Sequence, residues 1–133
     1  MLLKGKVSIV TGGGRGIGRA ISKRFAREGA CVVIAQRSSE SAQRTCEDIK
    51  DAGGTAIFVR TGISDREAVD HLVGETARRF GSVDILVNNA AILGENGHFL
   101  EVPQETWDRF IRVNLTGAFI CSQVAARVMA KGD

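Results

Sequence analysis

The stretch Val7-Ser8-Ile9-Val10-Thr11-Gly12-Gly13-Gly14-Arg15-Gly16-Ile17-Gly18 decides the fold. A short β-branched run breaks into a cluster of glycines. An amphipathic pattern follows at once, with Ile17, Ala20, Ile21 and Phe25 at spacings of three and four. Strand, glycine turn and helix in that order offer an anion two things. The glycines let a phosphate approach the backbone, and the helix start supplies free N–H groups with partial positive charge. A Walker A loop is excluded, because Arg19-Ala20 stands where Lys-Ser/Thr is required. The GxGxxG spacing is also absent, since Gly12, Gly16 and Gly18 are spaced Gly-x3-Gly-x-Gly. The plain alternative is a glycine-rich turn without a ligand. A strand before it and an amphipathic helix after it favour the phosphate reading.

Outward from this loop, two kinds of segment alternate. Residues 7–10, 30–35, 55–59 and 83–87 are short apolar runs, as expected of strands in a parallel sheet covered on both faces. Helical patterns lie between them. The first is expected to end near Glu28, with Gly29 as its stop, and the second to span 40–52 before Gly53-Gly54. In the third, Ser64 and Glu67 read as a capping-box pair. Val69, Leu72, Val73, Ala77 and Phe80 mark its apolar face, and Gly81 closes it. A fourth helical region runs from about Pro103 toward Met129. The order β-α-β-α-β-α-β-α predicts an α/β fold: a doubly wound parallel sheet of four strands with flanking helices. A generic α/β domain accounts for all of this, so function has to come from particular residues.

Composition narrows the choices. The chain has 133 residues, 44% apolar and 25% charged, enough apolar content for a core. Net charge is only +3, the basic and acidic residues are interleaved, and aromatics make up 5%, which speaks against a nucleic-acid surface. Three cysteines, Cys31, Cys46 and Cys121, are widely spaced with no CxxC, so neither a disulfide framework nor a metal site is expected. No apolar run approaches a membrane span and no secretory h-region opens the chain, so a cytoplasmic protein is expected. There is no tyrosine. Any chemistry that needs a tyrosine acid or base has to find it outside these residues.

Three motifs in order resemble the short-chain dehydrogenase/reductase family: Thr11-Gly12-x-x-x-Gly16-Ile17-Gly18, then Asn88-Asn89-Ala90-Ala91, then Val113-Asn114-Leu115-Thr116-Gly117. The resemblance covers the whole chain and about the first half of the family's catalytic domain. It implies a Rossmann-type sheet of order 3-2-1-4 that binds NAD(P) at the carboxyl ends of its strands, and hydride transfer to or from an alcohol or ketone. Gly12, Gly14, Gly16, Ile17 and Gly18 then line the pyrophosphate and nicotinamide side. Asn88 braces the fourth strand, while Asn89 and Ala90 lie along the adenosine ribose. Two positions depart from the family pattern. Ala91 replaces a usual glycine, and Gly62 replaces the usual aspartate at the adenine, leaving the Ile63 N–H to serve there.

The second strand ends Ala35-Gln36-Arg37-Ser38. An acid in the place of Gln36 would bind the ribose 2′-hydroxyl and repel a 2′-phosphate. Gln36 cannot repel, and Arg37 beside it with Arg15 in the glycine loop suits a phosphate dianion, so NADP is expected over NAD. Asn114 matches the Asn of the family's Asn-Ser-Tyr-Lys set. The Ser and the YxxxK motif would follow a fifth strand, which is expected beyond Lys131-Gly132-Asp133. Two readings result. The chain supplies the cofactor-binding half of an oxidoreductase, or it is a silent truncated or split product that binds only nucleotide or a partner. A homo-oligomer or a complementing chain is expected, because the fourth strand and the last helix would otherwise leave apolar surface open.

Overall fold

The computed structural model describes residues 1–94 and 97–132. Four parallel strands lie in the order β3-β2-β1-β4, with β1 Val7–Thr11, β2 Cys31–Gln36, β3 Thr55–Arg60 and β4 Ile85–Val87. Between them run α1 Gly16–Arg27, α2 Ser39–Asp51 and α3 Arg66–Phe80. A short 3-10 turn, Phe99–Glu101, leads into α4 Gln104–Phe110. A π-helical segment, Ile111–Thr116, then joins α4 to α5 Gly117–Met129. The expected architecture and strand order are therefore present.

Side-chain alternation along each strand splits the core into two layers. Val10, Val32 and Ile34 face one side, where they pack with Ala42, Cys46 and Ile49 of α2 and with Ile21 and Phe25 of α1. Ile9, Val33 and Ala35 face the other side, against Val69, Leu72 and Val73 of α3 and Ile120, Cys121 and Val124 of α5. Every β1 residue is buried, and β1 and β2 each contribute to both layers. Burial also raises the Cys46 thiol pKa and pushes that of Cys121 up to about 11.

Three local expectations are corrected by the structure. The cap of α3 is Asp65, not Ser64. The Asp65 carboxylate accepts from Glu67 N at 3.1 Å and Ala68 N at 3.4 Å, because Asp65 is the residue with extended backbone at the helix entrance. The fourth strand is shorter than residues 83–87. It begins at Ile85; Asp84 before it donates from its N–H to Val7 O at 2.9 Å and accepts from Val7 N with its carboxylate at 2.8 Å, while Val83 is buried in the core. Finally, Ile17 is not on the buried face of α1 and is 75% exposed. The face turned inward carries Gly18 and Ser22, one helical turn apart, because α1 lies too close to the glycine loop for larger residues.

The α3 cap makes a clean test. Asp65→Ala is expected to destabilise the chain by about 1 kcal/mol and Ser64→Ala to leave thermal unfolding unchanged. A larger loss from Ser64→Ala would return the cap to Ser64.

Candidate functional site: the cleft at the carboxyl ends of β1, β2 and β4

The chain crosses from one side of β1 to the other between β3 and β4, so the sheet's switch point lies between β1 and β4. In open α/β sheets, ligands bind outside the strand carboxyl ends at such a point. A dense hydrogen-bond knot floors the crevice. The buried Thr11 hydroxyl donates to Val87 O at 3.2 Å and accepts from Asn89 N and Ala90 N, both at 3.0 Å. Asn89 Nδ2 donates to Thr11 O at 3.1 Å and Gly12 O at 3.2 Å. The brace between the fourth strand and the glycine loop is thus Asn89, together with Thr11. Asn88 reaches the other way and donates from Nδ2 to Ser122 Oγ on α5 at 2.9 Å.

The glycine loop itself is held by its carbonyls. Ser22 Oγ donates to Gly13 O at 3.1 Å and Thr45 Oγ1 to Gly14 O at 3.0 Å, both buried. Gly12 has φ +64°, and a Cβ on Gly18 would collide with the Gly12 carbonyl, so α1 starts directly against the loop. Among the described residues, the leading N–H groups of α1 have no side-chain cap and no acid in their own turn. Gly16 and Ile17 are exposed at this mouth, and Gly16 has open space around its Cα.

At the β2 end, Gln36 is fully engaged. Its Oε1 accepts from Gly14 N at 2.9 Å, and its Nε2 donates to Ser38 O at 2.8 Å and Ser41 Oγ at 2.9 Å. Arg15 and Arg37 are exposed, and neither forms an ion pair among the described residues. At the β3 end, Gly62 has nothing within 4 Å of a Cβ, so room exists beside it. Ile63 is buried, and its side chain packs against Gly117 at the start of α5. Asn114 sits within the π-helical segment and clamps the backbone after the Asn-Asn-Ala-Ala turn. Ile92 N donates to Asn114 Oδ1 at 2.7 Å, and Asn114 Nδ2 donates to Ile92 O at 3.0 Å. In the 94–99 loop, His98 turns its Nδ1 onto Leu100 N at 3.3 Å, while residues 95 and 96 lie outside the described residues.

These residues fit a dinucleotide's phosphates and adenine: an uncapped helix start, a glycine cradle closely packed at Gly12, Gly13, Gly14 and Gly18 and open at Gly16, open space at Gly62 and free guanidinium groups at the rim. The fold and the three motifs define a class, and a family profile described as short chain dehydrogenase matches residues 6–133; the chain belongs to that family. Among its relatives, an uncharacterized oxidoreductase of Thermotoga maritima is 45% identical over 130 residues, 98% of this chain and 50% of that protein. An L-rhamnose 1-dehydrogenase (NAD(P)(+)) of Azotobacter vinelandii is 44% identical, covering 97% of this chain and 52% of that one. A solved structure of a short-chain dehydrogenase/reductase variant from Serratia marcescens superposes with TM-score 0.91 at 39% identity, over 97% of this chain and 53% of that one. The chain spans about half the length of the curated relatives it matches.

Four residues that hold the site were missed in the sequence: Ser22, Thr45, the hydroxyl of Thr11, and Arg60, which donates to Arg37 O at 2.7 Å. Ser22 one turn after Gly18 was a readable signal for close helix-loop contact. Thr45 and Arg60 act across sequence separations of 31 and 23 residues, which no local pattern reveals.

The Thr11 knot can be tested directly. Thr11→Val keeps the shape but strands the Ala90 N–H, while Asn89 N keeps Val87 O at 3.0 Å, so a loss of about 1–2 kcal/mol is expected in chemical denaturation. Thr11→Ser, which retains the hydroxyl, is expected to stay near wild type. Equal stability for Thr11→Val and wild type would remove the knot from the account.

Proposed function

We propose that the chain is the NADP-binding half of an oxidoreductase that transfers hydride between the cofactor and a small alcohol or carbonyl compound. The carrying observation is the rim of the β2 end. Where an acid would stand, the Gln36 amide is turned inward and engaged, and Arg37 and Arg15 remain exposed and unpaired among the described residues. Two free guanidinium groups suit a 2′-phosphate dianion; the strand ends in Gln36 rather than an acid, and Glu40 in the first turn of α2 is paired with Arg44.

In this reading, the leading N–H groups of α1, from Gly16, Ile17 and Gly18, receive the pyrophosphate, with Gly12 and Gly14 keeping the backbone close. Gly62 and the Ile63 N–H border the adenine, and Asn89 and Ala90 border the adenosine ribose. The bound nicotinamide supplies or accepts the hydride. Asn114 keeps the family's catalytic Asn position, and its clamp on Ile92 fixes the wall of the cleft below the reacting end. Family membership and the relatives' printed names support the oxidoreductase class; the preference for NADP rests on the arginines.

The test is a comparison of cofactors. NADPH is expected to bind more tightly than NADH. A hydrogen bond to a charged group is worth about 1.5–3 kcal/mol, or roughly tenfold or more in affinity. Arg37→Ala is therefore expected to weaken NADPH and spare NADH, and an equal loss for both would refute the 2′-phosphate assignment.

The absence of tyrosine favours a second reading for the chain on its own: a catalytically silent unit that binds nucleotide and pairs with another copy or with a complementing chain. The edge of β4, which meets no further strand among the described residues, and the exposed Trp107, Leu115 and Phe119 support such pairing. Purified 133-residue chain is expected to show no steady ketone reduction. Sustained turnover would mean that a residue present here takes the proton-transferring role.

A further inference from the structure

Arg60 is the last residue of β3 and lies opposite Gln36 in the parallel ladder. Its guanidinium donates from Nη1 to the backbone carbonyl of Arg37 at 2.7 Å. One residue on, Thr61 N donates to Gln36 O at 2.9 Å. The backbone around Arg37 is therefore held from several directions. Gln36 is fixed through its carbonyl and its amide, Arg37 through its carbonyl, and Ser38 through the bond its carbonyl accepts from Gln36 Nε2.

This arrangement has a cost that calls for a reason. Arg60 is exposed, and among the described residues it forms no ion pair. An arginine side chain gives up much of its rotamer freedom when fixed, and a solvent-exposed hydrogen bond to a neutral carbonyl returns only a modest net gain. It also brings a second positive group up to the segment that carries Arg37, against like-charge repulsion. Both features become favourable once a dianion lies over the turn, because the turn is then already in its bound form and the added charge is attractive. The simpler alternative is a charged residue guarding the outer edge of the sheet, since β3 is an edge strand. An edge guard, however, has no need to grip the carbonyl of Arg37.

We propose that Arg60 is a positioning residue for 2′-phosphate recognition: it holds the β2–α2 turn through the Arg37 carbonyl, so that the Arg37 guanidinium reaches the phosphate from a fixed base. This assignment rests on the NADP reading and goes one residue beyond it.

The test uses 2′,5′-ADP and 5′-AMP as probes that differ by the 2′-phosphate, measured by calorimetry on the 133-residue chain in the assembly it forms. Wild type is expected to prefer 2′,5′-ADP. Arg60→Met is expected to lose roughly three- to tenfold of that preference, the equivalent of one modest hydrogen bond, with 5′-AMP affinity and melting temperature unchanged. Arg60→Lys keeps a donor and is expected to recover most of the preference. In an Arg37→Ala background, Arg60→Met is expected to add nothing, because a residue that acts only through Arg37 has nothing left to position. Equal losses for both probes, a further loss in the Arg37→Ala background, or Arg60→Lys behaving like Arg60→Met would each overturn the assignment. Wild-type chain with no preference overturns the NADP reading and this inference with it. A preference that Arg37→Ala abolishes and Arg60→Met leaves intact overturns the Arg60 role alone.

Discussion

One buried hydroxyl holds together the two halves of the cleft. Thr11 ends β1, a strand buried along its whole length, and its Oγ1 binds Val87 O, Asn89 N and Ala90 N at once. A hydroxyl has one proton and two lone pairs, so this atom uses its full capacity. The carboxyl ends of β1 and β4 are thereby locked at one spacing, at the position where strand order reverses. Asn89 extends the lock to the carbonyls of Thr11 and Gly12, and Gly12 is the carbonyl against which Gly18 of α1 abuts. The position of the helix start, and with it the direction of its free N–H groups, follows from this chain of contacts. A cleft built in this way needs little rearrangement to receive a charged ligand, which lowers the cost of binding.

The same economy appears at the other end of the glycine loop. Gln36 joins the loop to the β2–α2 turn through Gly14, Ser38 and Ser41, using a side chain that both donates and accepts. A carboxylate could accept from Gly14 N but could not donate to Ser38 O. The choice of an amide here has two effects that reinforce each other. It removes a negative charge from the rim of the cleft, and it stiffens the turn on which Arg37 sits.

Sequence periodicity carried the fold because it reports burial directly. The alternation of Ile9 and Val10, and of Val32, Val33, Ile34 and Ala35, is the alternation of the two core layers. Glycines at positive φ, such as Gly29 and Gly81, ended α1 and α3 where expected. Errors arose where a polar side chain substitutes for backbone. Asp84 looks like a strand residue in the 83–87 run, yet it answers Val7 with its carboxylate as well as its N–H, and β4 begins only at Ile85. Asp65 and Ser64 are equally good caps on paper, and the backbone angle at the helix entrance decides between them. Ile17 matches the helical period and is nonetheless exposed, because the glycine loop admits only Gly18 and Ser22 on the close face. The glycine, arginine and asparagine positions of the candidate site were legible as motifs. The hydroxyls and the guanidinium that hold them were not, since their partners are brought close only by the sheet.

The two sides of the sheet are not equally finished. Around β2 and β1, strand residues are almost all buried, with α1 and α2 closing one layer. Around β4, all three strand residues are only half-buried, and its far edge meets no strand among the described residues. Large apolar side chains exposed in the α4–α5 region include Trp107, Leu115 and Phe119, with Trp107 at 60% and Phe119 at 57%. Surface of this kind is unfavourable in water and attracts further protein. The asymmetry falls on the side away from the β2 end, where the guanidinium groups stand. In the proposed reading, the phosphate and adenine end of the cleft is therefore set by β1, β2, β3 and α1, whose contacts are the more deeply buried, and the reacting end lies toward β4 and Asn114.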